Sequence, residues 1–111
     1  MANFDAEKVL KDMLGASQAK AGVVWGQVKD DVEQEFRTLT SVGARIVARK
    51  AANTITEVNA KFLIAQYYGA ARNFLYSLEG IANLVIEAMI NAALDVLRKA
   101  IQAATGGWLV I

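Results

Sequence analysis

The sequence predicts an all-α protein: an antiparallel helical bundle or hairpin of three long helices with a short N-terminal helix, completed by oligomerisation. Apolar residues recur at steps of three and four along most of the chain, which is the period of an α-helix. Proline is absent, and twenty residues are alanine, the strongest helix former. Apolar residues and glycine together make up 66 of the 111 residues, against about 45–50% in an ordinary soluble domain. We therefore expect apolar surface that a partner covers.

The first predicted helix is short and spans residues 4–14. Asn3 is a suitable N-cap, because its side chain can accept a hydrogen bond from a backbone amide of the first turn. Asp5 and Glu7 complement the positive end of the helix dipole. Gly15 is a suitable stop. We place this helix, with the glycine-containing connection that follows it, in residues 1–26 of a single domain covering residues 1–111.

The second predicted helix spans residues 27–51 and opens the bundle region, residues 27–104. Acidic residues lie near its start and Arg45, Arg49 and Lys50 near its end, an order that complements the helix dipole. The charges indicate a solvated helix face. A basic binding patch formed by those three residues is the alternative.

The third predicted helix spans residues 54–78. Thr54 and Glu57 have the spacing of a capping box, in which each side chain bonds to the other residue's backbone amide. An apolar stripe with several aromatic residues follows and is predicted to lie in the core: Ile55, Val58, Phe62, Leu63, Tyr67, Ala70, Phe74 and Leu78. A ligand pocket lined by Tyr67, Tyr68 and Tyr76 is the alternative.

The fourth predicted helix spans residues 81–104 and is apolar over most of its circumference. Its polar residues form one narrow stripe at steps of four: Asn83, Glu87, Asn91, Asp95 and Lys99. Such a helix is buried on several sides, and a small bundle rarely supplies that much cover. The sequence therefore predicts self-association, with seven residues as core or interface: Phe62, Tyr67, Phe74, Val85, Met89, Val96 and Leu97.

The chain ends in an apolar tail, residues 105–111, after Gly106 and Gly107. Either the tail folds back onto the core, or Trp108, Leu109 and Ile111 form a docking tail for a protein partner. Residues 107–111 are similar in character to the short core peptide of the split borosin precursors. That resemblance implies backbone N-methylation by a partner methyltransferase, although the helical part carries no matching motif.

The composition excludes most catalytic chemistry. Without histidine or cysteine the chain has no imidazole base, no thiolate and none of the usual zinc ligands, and it has no glycine-rich phosphate-binding motif. We expect no enzyme activity, cofactor or metal; an all-carboxylate site is conceivable, from Glu57, Glu79, Glu87 and Asp95. A net charge of +1 argues against specific nucleic-acid binding.

The sequence favours a non-catalytic structural or interaction protein that self-assembles through apolar helix faces, as a filament, shell, virion or scaffold component. One alternative is a helical protein that lies on or inserts into a membrane. Another is a carrier or precursor whose apolar tail is recognised or modified by a partner enzyme. We expect neither a signal peptide nor a membrane span, and thus a cytoplasmic protein or part of an assembled particle.

Overall fold

The computed structural model describes residues 4–109, and this part of the chain contains four α-helices and no strand. The all-α prediction is confirmed. The helices, with a 3-10 turn at Gly22–Val24 between the first two, are α1 Ala6–Ala21, α2 Trp25–Ala51, α3 Glu57–Tyr76 and α4 Asn83–Ala104. The molecule measures 44 × 22 × 19 Å, and its long dimension is close to the length of α2, about 40 Å at 1.5 Å per residue.

Helix α1 is longer than predicted, because Gly15 does not end it. Asp5 is the N-cap, with its Oδ1 accepting a hydrogen bond from the Lys8 amide at 3.2 Å; Asn3 lies outside the described residues. Gly15 is exposed in the helix interior, where glycine costs about 1 kcal/mol relative to alanine. Burial of the residues that follow, up to Ala21, outweighs that cost. The N-terminal helix is therefore 16 residues long.

The break between α1 and α2 lies at Gly22. This residue has φ 61°, a backbone conformation that glycine adopts without steric cost. A single 3-10 turn follows, and α2 begins at Trp25, two residues before the predicted start. Two helices joined so closely can pack side by side, and α1 and α2 do so.

The start of α3 differs from the predicted capping box. Thr56 is the N-cap, and its Oγ1 accepts a hydrogen bond from the Asn59 amide at 3.1 Å. Thr54 instead closes the preceding helix: its hydroxyl donates to the Arg49 carbonyl at 3.2 Å. Both threonines have a side chain suited to N-capping. Thr54 is used in the chain reversal after α2, so Thr56 is the residue that caps α3.

Helix α4 is the central element of the bundle. It packs most extensively against α1 and also contacts α2 and α3. Buried α4 side chains lie all along its length: Ile86, Met89, Ile90, Ala93, Leu97, Ile101 and Ala104. The chain's own N-terminal helix, which is longer than the sequence predicts, thus covers much of α4.

Two close contacts fix the elements around α4. The buried Ser17 hydroxyl of α1 donates to the Met89 carbonyl of α4 at 2.7 Å. On α2, a Cβ atom added at Gly43 would lie 2.8 Å from Phe4 Cζ and 3.0 Å from Leu97 Cδ1. Those distances are shorter than van der Waals contact, so a larger residue at this position would force the Phe4 and Leu97 side chains to shift.

Candidate interaction surface

Helix α3 packs on the bundle through a narrow row of residues. Its buried residues are Ala60, Ile64, Ala71 and Leu75, which share one side of the helix at steps of three, four and seven. Two of the four are alanines, so the helix backbone can lie close to its neighbours there. The opposite side of α3 faces away from the bundle.

That opposite side carries large apolar side chains. Phe62 is 69% exposed and Val58 is 62% exposed. They line a shallow apolar groove together with Lys61 and Ala65. Large apolar side chains clustered on a surface mark interaction sites more often than scattered ones do.

The row continues along the helix to Gly69. Val58, Phe62, Ala65 and Gly69 follow at steps of four, three and four, which keeps them on one side of the helix. A Cβ atom added at Gly69 would meet nothing within 4 Å. Nothing in the described fold therefore requires glycine at this position. We call these four residues the α3 seam.

The seam corrects the predicted core stripe of this helix. Val58, Phe62, Ala70 and Phe74 are exposed, whereas the row with Ala60 and its neighbours is buried. Both rows are apolar and both have helical spacing, so periodicity alone favoured the row with the larger side chains. The contact with the bundle is centred on the row with small residues. Four residues of the predicted stripe are half-buried against the core beside it: Ile55, Leu63, Tyr67 and Leu78.

The other predicted core or interface residues lie at different depths. Met89 and Leu97 are fully buried in α4. Tyr67, Val85 and Val96 are half-buried and pack against the core. Phe62 and Phe74 are exposed and lie outside the core. An interface role for these two residues stays a prediction.

A polar cluster borders the seam toward the C-terminal end of α3. The Arg72 guanidinium carbon lies 5.9 Å from the ring centre of Tyr68 and 5.7 Å from that of Tyr76. The Tyr68 hydroxyl donates to Asn91 Oδ1 at 2.8 Å. Desolvation, and then the negative charge of Glu87, raise the pKa of Tyr76, so this phenol stays neutral at physiological pH. The cluster ties α3 to α4, and all three tyrosines of the predicted pocket, Tyr67, Tyr68 and Tyr76, are half-buried against the core.

The C-terminal tail returns to the bundle. Leu109 is fully buried in the chain's own core, and Trp108 packs against that core. The Lys50 ammonium of α2 lies 5.1 Å from the centre of the Trp108 ring, within the range of a cation–π contact. These contacts match the fold-back interpretation of the tail; Ile111 lies outside the described residues.

The predicted basic patch is partly used inside the fold. Arg49 donates to the Thr54 carbonyl at 2.9 Å, and Lys50 lies over Trp108. The third member, Arg45, is exposed. Two of the three charges therefore stabilise the end of α2 and the tail.

The acidic residues have local partners or stand apart. Asp95 pairs with Arg98 at 2.6 Å and with Lys99 at 3.5 Å. The Lys99 charge and the hydrogen bond from Arg98 hold the pKa of Asp95 below its ordinary value. Between residues 4 and 109 no three acidic side chains come together as a metal site would require.

An open, charged groove between α1 and α2 is largely self-neutralised. Arg37, on its rim, binds Glu7 and Glu33, each at 3.1 Å. Lys8, another lining residue, pairs with Asp12 at 3.1 Å. Paired exposed charges offer little to a ligand, so the α3 seam is the stronger candidate surface.

Comparison with protein-family models, with curated proteins and with solved structures gives no match. Within the described residues, none of the helices combines the length and the apolar character that crossing a membrane requires.

Proposed function

We propose that this is a non-catalytic structural or interaction protein that self-associates through the α3 seam. The observation that carries the proposal is the exposure of Phe62, at 69%, beside Val58 in a helix whose other side packs on the bundle. Filament, shell, virion and scaffold component are all forms that such an assembly can take.

The composition of the surface favours a second copy as the occupant. Among the described residues that line the groove, Lys61 alone is charged. A nucleic acid or an anionic membrane would be met by a cluster of basic residues, whereas a second copy brings a matching surface with little charge. The seam also supplies both bulky residues, Val58 and Phe62, and small ones, Ala65 and Gly69.

The size of the surface determines how strong we expect the self-association to be. Residues 58–76 extend about 28 Å along the helix, at 1.5 Å per residue, and an α-helix is about 10 Å wide. That area is a few hundred Å², below the roughly 800 Å² per partner of a standard stable interface. We therefore expect association that depends on protein concentration.

The burial of Leu109 weighs against the carrier alternative, because a residue packed in its own core is not free to enter an enzyme. The membrane alternative shares the α3 seam with self-association. It differs in the occupant of that surface, and the same experiment distinguishes them.

The test compares Phe62→Lys with Val23→Lys by size exclusion with light scattering at several concentrations. Val23 is fully exposed in the 3-10 turn, so the control makes the same charge change outside the seam. We expect the wild-type mass to rise above 12.0 kDa with concentration, the Val23 variant to follow it, and the Phe62 variant to remain monomeric. A wild-type chain that is monomeric throughout would overturn self-association, and its flotation with phosphatidylcholine–phosphatidylserine vesicles would favour the membrane alternative.

A further inference from the structure

Two exposed glycines connect the C-terminal tail to α4. Gly106 and Gly107 have φ angles of 67° and 80°, a backbone conformation that glycine adopts without steric cost. Both residues are exposed, and a Cβ atom added at either one would meet nothing within 4 Å. The described residues therefore leave room for the chain to rotate at this turn.

Helix α4 ends without help from the tail. The Thr105 amide donates to the Ile101 carbonyl at 2.9 Å, and the Thr105 hydroxyl donates to the same carbonyl at 2.7 Å. The Gly107 amide donates to the Gln102 carbonyl at 2.7 Å, and the Trp108 amide to the Thr105 carbonyl at 3.4 Å. All of these bonds are local to the end of α4. Among the described residues, no backbone hydrogen bond joins Gly107 or Trp108 to another helix.

Two side chains hold the tail on the bundle. Leu109 is fully buried in the core. Trp108 is half-buried, with the Lys50 ammonium 5.1 Å from the centre of its ring. Because Lys50 belongs to α2, the tail connects the end of α4 to the end of α2. Lifting the tail away exposes these two apolar side chains and leaves the contacts between the helices in place.

We infer that residues 106–109 form a strap, which undocks from this end of the bundle while the four helices stay folded. Local opening of this kind occurs in segments with few buried contacts and few backbone hydrogen bonds to the rest of the fold. In the docked state Trp108 and Leu109 belong to the core, and in the undocked state they form an exposed apolar tail. The strap therefore controls whether these two residues are available at the surface. The inference does not depend on self-association through the α3 seam.

Thiol labelling tests the strap, since the natural chain contains no cysteine. Leu109→Cys places a reporter in the strap. Leu97→Cys is the matched reporter in α4, because both residues are fully buried leucines. Ser17→Cys, fully buried in α1, is a second core reporter that removes little volume. Each full-length variant is labelled with a thiol reagent at several low urea concentrations, and the modified fraction is followed by mass.

We expect Leu109→Cys to react at least about tenfold faster than either core reporter, because labelling in the core requires the whole bundle to open. Its rate should hardly change at low urea, since undocking exposes little surface, whereas the core rates should rise steeply. Adding Lys50→Gln to Leu109→Cys removes the cation–π contact. This second change should raise the labelling rate about two- to five-fold.

Three results would overturn the strap. Equal rates with equal urea dependence for Leu109→Cys and the core reporters would mean that the tail opens only when the bundle unfolds. A Leu109→Cys chain that fails to fold, as judged by circular dichroism, would make the tail an integral part of the bundle. Labelling of Leu109→Cys as fast as Val23→Cys, at a fully exposed position, would mean that the tail is not docked.

Discussion

Helices α3 and α4 are both rich in apolar residues, but their surroundings are opposite. Helix α4 contacts all three other helices and buries seven residues along its length. Helix α3 buries four and leaves Val58 and Phe62 facing outward. Apolar content therefore does not decide which helix is central. The position of α1 decides it, because this helix covers α4 and leaves α3 at the edge.

This comparison changes the helix on which we expect the interface, from α4 to α3. From sequence, α4 is the helix that predicts self-association, because a small bundle rarely covers a helix that is apolar over most of its circumference. In the structure α1 and α4 pack extensively, and the Ser17 hydroxyl donates to the Met89 carbonyl between them. On α3 the outer row with Val58 and Phe62 is left uncovered, and this is where we propose that a second copy binds.

The largest expected difference in the free energy of unfolding is between a substitution at a buried α4 residue and one at an exposed α3 residue. Leu97→Ala should lower the free energy of unfolding by about 2–5 kcal/mol, because it leaves a cavity in the core. Phe62→Ala should change it by no more than about 0.5 kcal/mol, as exposed substitutions do. Urea unfolding of dilute samples measures both. A Phe62 variant as unstable as the Leu97 variant would mean that Phe62 packs against its own chain.

An intermediate contrast comes from two helical glycines. Gly43→Ala gains helix propensity but places a methyl group against Phe4 and the buried Leu97; we expect a net loss of about 1 kcal/mol, within the range for overpacking. Gly69→Ala meets open space, and we expect a gain of about 0.4–1 kcal/mol. Thermal unfolding of dilute samples checks the signs. If both variants gained stability, the close approach at Gly43 would be wrong.

The smallest expected effect concerns the ion pairs on the outer surface of α4. The pKa of Asp95 is lowered in the folded protein by Lys99 and Arg98. Its contribution to stability is therefore present above the unfolded pKa and is lost as the pH falls through the folded pKa. We expect Asp95→Asn to be slightly less stable than wild type at pH 7. The difference should vanish at pH 2.

Urea midpoints at the two pH values measure this difference. If it persisted at pH 2, Asp95 would be acting through something other than its charge. Because the group is exposed, its loss should be smaller than either glycine effect.

The sequence predicted helices where their local signals were unambiguous. The C-terminal ends of α2, α3 and α4 agree with the predicted ends within two residues, because chain reversals and glycines mark them. The start of α3, at Glu57, lies three residues after the predicted start. The end of α1 was missed, since a glycine stops a helix only when nothing beyond it gains by continuing. Here Ser17 and Ala21 gain burial against the rest of the bundle.

The exposed face of α3 could not be predicted from the sequence. Two apolar rows run along this helix, one with Ala60 and Ala71 and one with Val58 and Phe62. Their periodicity is the same, and which row is buried depends on how closely the neighbouring helices approach. That approach is a property of the whole bundle. The absence of any neighbour at Gly69 likewise becomes visible only in three dimensions.

The most direct test of the central claim is the concentration dependence of backbone amide NMR spectra, since α3 and α4 are then observed in one experiment. On dilution from millimolar to micromolar concentration, amide shifts should change along residues 58–76. Those of the buried α4 residues, such as Ile90 and Leu97, should not. Spectra that are identical at every concentration, or changes centred on α4, would contradict the account.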